Sequence, residues 1–189
     1  MSTVRLLVLG SILRRGVSHG YAVLQDMKDW QADAWTSVKP GSVYHALDKL
    51  ASQGMIAAAP SANGAKAGPA RTEYRITPRG KAEFVRLLET ALSSPDILQF
   101  SAGVAFMEWL PRQKVIELLE RRRAALDANL RLLNSLPVDE DPVEPSRHPE
   151  LIGIWAGYVR NEAATTDNIL ANVRAGKYGF KPERLEEEA

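Results

Sequence analysis

Val38-Lys39-Pro40-Gly41-Ser42-Val43-Tyr44-His45-Ala46-Leu47-Asp48-Lys49-Leu50-Ala51-Ser52-Gln53-Gly54-Met55-Ile56 reads as one short helix with a signal at each end, running into a strand. Pro40 fits the first helical position, where its fixed φ helps and its missing N–H costs nothing. Gly54 fits the left-handed position that closes a helix. Between them Val43, Ala46, Leu47 and Leu50 recur at helical spacing and form one apolar stripe. His45 lies nearly opposite, flanked by Ser42, Asp48, Lys49 and Ser52. A short helix with a dry back and a front of small donors, an imidazole and a lysine suits a DNA major groove.

The flanks extend this pattern. Thr3 to Leu13 is apolar on nearly every side, which predicts a helix covered all round, and it is too short to span a bilayer. Gly16 is the expected C-cap, and Ser18 the expected cap of a second helix that buries Gly20, Val23, Leu24 and Met27 before a turn ahead of Trp35. Downstream, Met55–Ala59 and Arg71–Thr77 predict two antiparallel strands, with Thr72, Tyr74 and Ile76 alternating against Glu73 and Arg75. The Gly-, Pro- and Ala-rich stretch 60–70 between them predicts a mobile loop. Thr77-Pro78 opens a helix to about Leu92. The order helix, helix, helix, strand, loop, strand, helix is a winged helix-turn-helix.

The residues His19-Gly20-Tyr21, Pro40-Gly41-Ser42-Val43-Tyr44-His45-Ala46-Leu47, Leu50, Gly54, Arg71-Thr72-Glu73-Tyr74-Arg75-Ile76-Thr77 and Gly80 resemble the PadR family of transcriptional regulators over roughly the first half of the chain. The resemblance implies a homodimer that binds an inverted repeat in double-stranded DNA near a promoter. It implies most often a repressor, with a C-terminal helical region that dimerises and a small-molecule or stress cue that releases DNA. Residues 95–189 are similar to the longer C-terminal region of some members in length and helical pattern only. One position departs: a serine-type cap usually precedes the Pro-Gly, and here Lys39 stands there. A cation at a helix N-terminus costs about 0.3–1 kcal/mol. A DNA phosphate would remove the conflict; Lys39 pointing to solvent, with Ser37 or a water as cap, is the alternative.

The charge follows the same division. Of 189 residues, 1–92 carry 12 Lys/Arg against 7 Asp/Glu, and 93–189 carry 12 against 16, so the basic half holds the helix-turn-helix. There is no cysteine, hence no disulfide or thiolate metal site. His19, His45 and His148 form no zinc-ligand spacing. Without a metal cluster, a glycine-rich phosphate loop or a nucleophile–base arrangement, the expectation is a non-enzyme without cofactor. No secretory signal is legible, so the expected location is cytoplasmic, with no membrane partner.

In the second half, a helix opened by Ser94-Pro95 runs through Phe100 and Phe106 to Trp109-Leu110, and Pro111 ends it. Val115, Leu119, Arg122, Leu126, Asn129, Leu133 and Leu136 alternate steps of four and three, a heptad whose two polar members weaken it. Residues 137–149 predict an exposed linker, and about Glu150 to Ala175 a last helix. The expected architecture is thus mainly α with a small two-stranded wing. Residues 1–93 form the winged helix-turn-helix, 94–176 a C-terminal helical dimerisation and effector region, and 177–189 a disordered tail.

The candidate DNA-binding residues are Lys39, Ser42, Tyr44, His45, Lys49, Lys66, Arg71 and Arg75, weighed against an ordinary solvated face. Phe100, Phe106, Trp109, Trp155 and Tyr158 are candidates for binding a small aromatic effector; plain core packing is the commoner use of such spacing. The competing function is a winged-helix protein–protein adaptor without DNA readout, which calls for exposed apolar anchors on the 42–52 helix.

Overall fold

The computed structural model describes residues 3–36, 38–59, 72–136 and 149–185. Its elements are α1 (Thr3–Arg15), β1 (Val17–His19), α2 (Gly20–Asp29), α3 (Ala32–Trp35), α4 (Pro40–Ser52), β2 (Ile56–Ala58), β3 (Glu73–Ile76), α5 (Pro78–Ser93), α6 (Ile97–Val104), α7 (Arg112–Ser135) and α8 (Pro149–Arg174), with single 3-10 turns at Met107–Trp109 and Pro182–Leu185. The loop 60–70, the linker to residue 148 and the last four residues lie outside the described residues.

The winged helix is built around α1. Leu6, Leu7, Val8, Leu9, Ile12 and Leu13 are all buried, as a helix apolar on every side demands. The sheet has three strands, not two, in the order β1-β3-β2, all antiparallel. Ser18 stands opposite Tyr74 on one side and Ala58 opposite Tyr74 on the other. β1 takes the place of the expected Ser18 cap: Ser18 is a strand residue, and His19 caps α2 by accepting from Ala22 N through Nδ1 at 3.1 Å. Left-handed Gly16 and Gly54 end α1 and α4, and Thr77 Oγ1 caps α5 by accepting from Gly80 N at 3.1 Å. Gly80 is required for a close approach: a Cβ there would stand 1.9 Å from the Met55 carbonyl oxygen.

The second half differs from expectation in four places. Asp96, not Ser94, caps α6, accepting from Gln99 N at 2.8 Å. α6 stops at Val104, and the chain reaches Trp109 through a 3-10 turn. α7 and α8 pair antiparallel within one chain, with Arg122 inside the pair. It is fully buried and ion-paired with Glu162 of α8. Where the sequence predicts a disordered tail from 177, residues 177–185 turn back. Lys181 N donates to Glu108 O at 2.8 Å, Lys81 Nζ donates to Leu185 O at 2.9 Å, and Tyr178, Phe180 and Leu185 pack on the main core. Three apolar side chains and two long-range hydrogen bonds hold a segment that composition alone marks as free.

Candidate nucleic-acid interface

α4 presents the two faces that its spacing predicts. Val43, Ala46, Leu47 and Leu50 are buried, while Pro40, Gly41, His45, Asp48, Lys49 and Ser52 are exposed. α2 packs against its start: a Cβ on Gly20 would meet the Tyr44 ring at 2.7 Å, so glycine is what lets the two helices close. Tyr44 is half-buried by this contact, its ring against the core.

The conflict at Lys39 has a local answer. Ser42 Oγ accepts from Lys39 N at 3.0 Å and donates to Lys39 O at 2.7 Å, so the third helical residue closes the turn that lysine's side chain cannot. This commits the Ser42 proton and leaves that half-buried hydroxyl a lone pair toward solvent. Ser37, the other expected cap, lies outside the described residues, as do Lys66 and Arg71. The Lys39 side chain is exposed at the positive end of the helix.

Three arginines of the winged helix are ion-paired. Arg5 pairs with Glu83 at 3.5 Å, Arg86 with the same carboxylate at 2.7 Å, and Arg15 with Asp26. By contrast Lys39, Lys49 and Arg75 are exposed and make no ion pair among the described residues. Arg75 sits on the central strand opposite Val17 and Ala57, and alternation turns it outward while Tyr74 and Ile76 go to the core. Tyr21 is 61% exposed beside the His19 ring, with centroids 6.3 Å apart.

The five aromatic candidates do not meet. Phe100, Phe106 and Trp109 are buried in the main core, where Phe106 and Trp109 both pack edge-on against Phe84 at 5.7 and 6.1 Å. Phe106 and Trp109 also border a cleft of about 530 Å³ with Arg14, Trp30, Trp35 and Arg184. Trp155 and Tyr158 pair edge-on at 5.8 Å near the start of α8, bordering a separate apolar cleft of about 910 Å³ between α6, α7 and α8. Burial, and then the nearby Glu162 carboxylate, pushes the Tyr158 phenol up, so its hydroxyl remains a donor. Around this cleft Leu98, Leu132, Leu151, Ile154 and Trp155 stand in solvent, Ile154 at 67% exposure. No helix among the described residues is long and apolar enough to cross a membrane, and no group of His, Asp or Glu among them is placed to hold a metal.

Residues 8–86 match the family described as "Transcriptional regulator PadR-like family". No curated protein matches the chain. Among solved structures, the chain is similar to Bacillus subtilis PadR in complex with operator DNA, at 22% identity and a TM-score of 0.41, over 91% of this chain and 99% of that one. The structure of Bacillus subtilis PadR without that description of DNA matches at 21% identity and a TM-score of 0.39, over 91% and 95%.

Proposed function

From a winged helix that is PadR-like over residues 8–86, we propose a sequence-specific DNA-binding transcriptional regulator that acts as a homodimeric repressor on an inverted repeat near a promoter. The observation that carries the reading is the exposed polar front of α4 with its cations. Lys39 and Lys49 on α4, with Arg75 on the central strand, are exposed without an acidic partner among the described residues. Phosphates would set affinity through these cations, and His45 and Lys49, with the free lone pair of Ser42, would read base edges. The Tyr44 hydroxyl would reach a phosphate, its ring being packed against Gly20. The adaptor reading has less support, since the exposed residues of α4 include no large apolar anchor.

The second copy would cover the apolar surface around Ile154, Trp155 and Leu132. Exposed large apolar groups gathered at one place mark an interaction site, and a two-fold pair of arms would present two α4 helices to half-sites roughly 34–36 Å apart. A small aromatic effector would act by changing that geometry, with Trp155 and Tyr158, or separately Phe106 and Trp109, as its contacts. Selection from a random duplex library at about physiological salt tests the reading. Enrichment of an inverted repeat supports it; a folded dimer that enriches nothing overturns it.

A further inference from the structure

The apolar contacts of this chain form two clusters with a polar layer between them. The main core runs out along the arm as far as Leu119 of α7 and Leu170 of α8. A second, smaller cluster holds Leu126, Val159 and Ala163. Arg122 and Glu162 fill the gap, and the guanidinium has a partner on every side. Nε donates to Thr166 Oγ1 at 3.1 Å, Nη2 to Glu162 and Nη1 to the carbonyl of Ser94, while the Phe100 ring lies 3.7 Å from Cζ. Ser94 is the C-cap of α5, the last helix of the winged unit; Phe100 belongs to α6, and Glu162 and Thr166 to α8. One planar fork on α7 thus addresses the end of the DNA-binding unit and both neighbouring arm elements.

We infer that Arg122 and Glu162 are positioning residues that set the angle between the winged helix and the arm, and through it the spacing between half-sites that the dimer accepts. Apolar packing is non-directional and lets helices slide with little loss. A guanidinium has fixed donor directions that a lysine does not reproduce. A single buried polar layer in an otherwise apolar helix pair specifies register in the same way. The spacing part of the inference rests on the proposed DNA reading; the angular part does not.

The test uses the full chain and two readouts. The R122M/E162L double variant replaces the layer with apolar side chains of similar volume, which preserves folding in comparable buried pairs; E162Q keeps an acceptor for the guanidinium. Because the native sequence has no cysteine, Lys28→Cys and Ala128→Cys place spin labels on exposed positions of α2 and α7, with labelled chains diluted into unlabelled ones. The parent and E162Q are expected to give one narrow distance distribution, and R122M/E162L one about twice as broad at unchanged helix content. Against inverted repeats of graded spacer, the parent is expected to prefer its best spacer over one about two base pairs longer by about tenfold, and the double variant by less than about threefold. A double variant with the parent's distance distribution and spacer profile overturns the inference. A parent that binds no inverted repeat overturns the DNA reading, and the label distances then decide the angular claim alone.

Discussion

At the residue scale, the Lys39 ammonium is the group whose role is most sharply testable. Since Ser42 closes the turn, replacing Lys39 leaves the cap intact. Lys39→Ser is expected to lower the salt-dependence slope of operator binding by about 1 and to weaken all sequences alike; titrations at several salt concentrations check this. Asp26 offers a second case. Burial pushes its pKa up, but hydrogen bonds from Arg15 at 2.8 Å and Ser11 at 2.6 Å outweigh burial and hold the carboxylate below its ordinary value. A carboxylate depressed in the folded state contributes fully above its unfolded pKa of about 3.9, and the contribution is lost as pH falls through the folded value. Arg15 is 39% exposed, so solvent screening limits the pair, and Asp26→Asn is expected to cost about 1 kcal/mol at neutral pH. It should also flatten the acid limb of the stability profile below about pH 4. Urea melts across pH would show both effects.

At the element scale, the junction of β2 and α5 depends on a missing side chain. Gly80→Ala would press a methyl into the Met55 carbonyl, which is backbone and cannot rotate away. A loss of about 1–3 kcal/mol or more is expected, read as a lower urea midpoint at unchanged m-value. Phe106→Ala, which removes a ring packed against Trp30 and Phe84, is expected to cost about 3–5 kcal/mol. Elements whose causes are local were legible in the sequence: Gly16, Gly54 and Thr77 each end or start a helix through their own backbone or hydroxyl. β1 was not, because three residues become a strand only by pairing with β3, more than fifty positions later. α3 follows a left-handed Gln31, a conformation that no pattern announces. In the candidate interface the exposed front of α4 was readable from its period, but the hydroxyl of Ser42 was not, since groove contact and capping require the same residue type. The partner of Arg122 was illegible for a related reason: its glutamate arrives forty residues further on.

At the scale of the whole molecule, the proposed dimer rests on the exposed apolar ground at the far end of the arm. Ile154→Lys is expected to shift the chain from dimer to monomer with its helix content unchanged, as sedimentation would show. Operator affinity should fall by about a hundredfold, because two linked half-site contacts become one. The returning segment has a consequence of another kind, in the order in which the protein is made. Lys81 finds its partner at Leu185, 104 residues later, and the 3-10 turn carrying Trp109 gains the cover of the segment around Lys181 and Arg184 only then. At roughly 5–20 residues per second of synthesis, the winged helix waits on the order of 5–20 s for that cover. During those seconds a nascent chain with its winged helix formed still shows a tryptophan-lined strip to folding machinery, and a ribosome stalled just after residue 176 would hold it in that state.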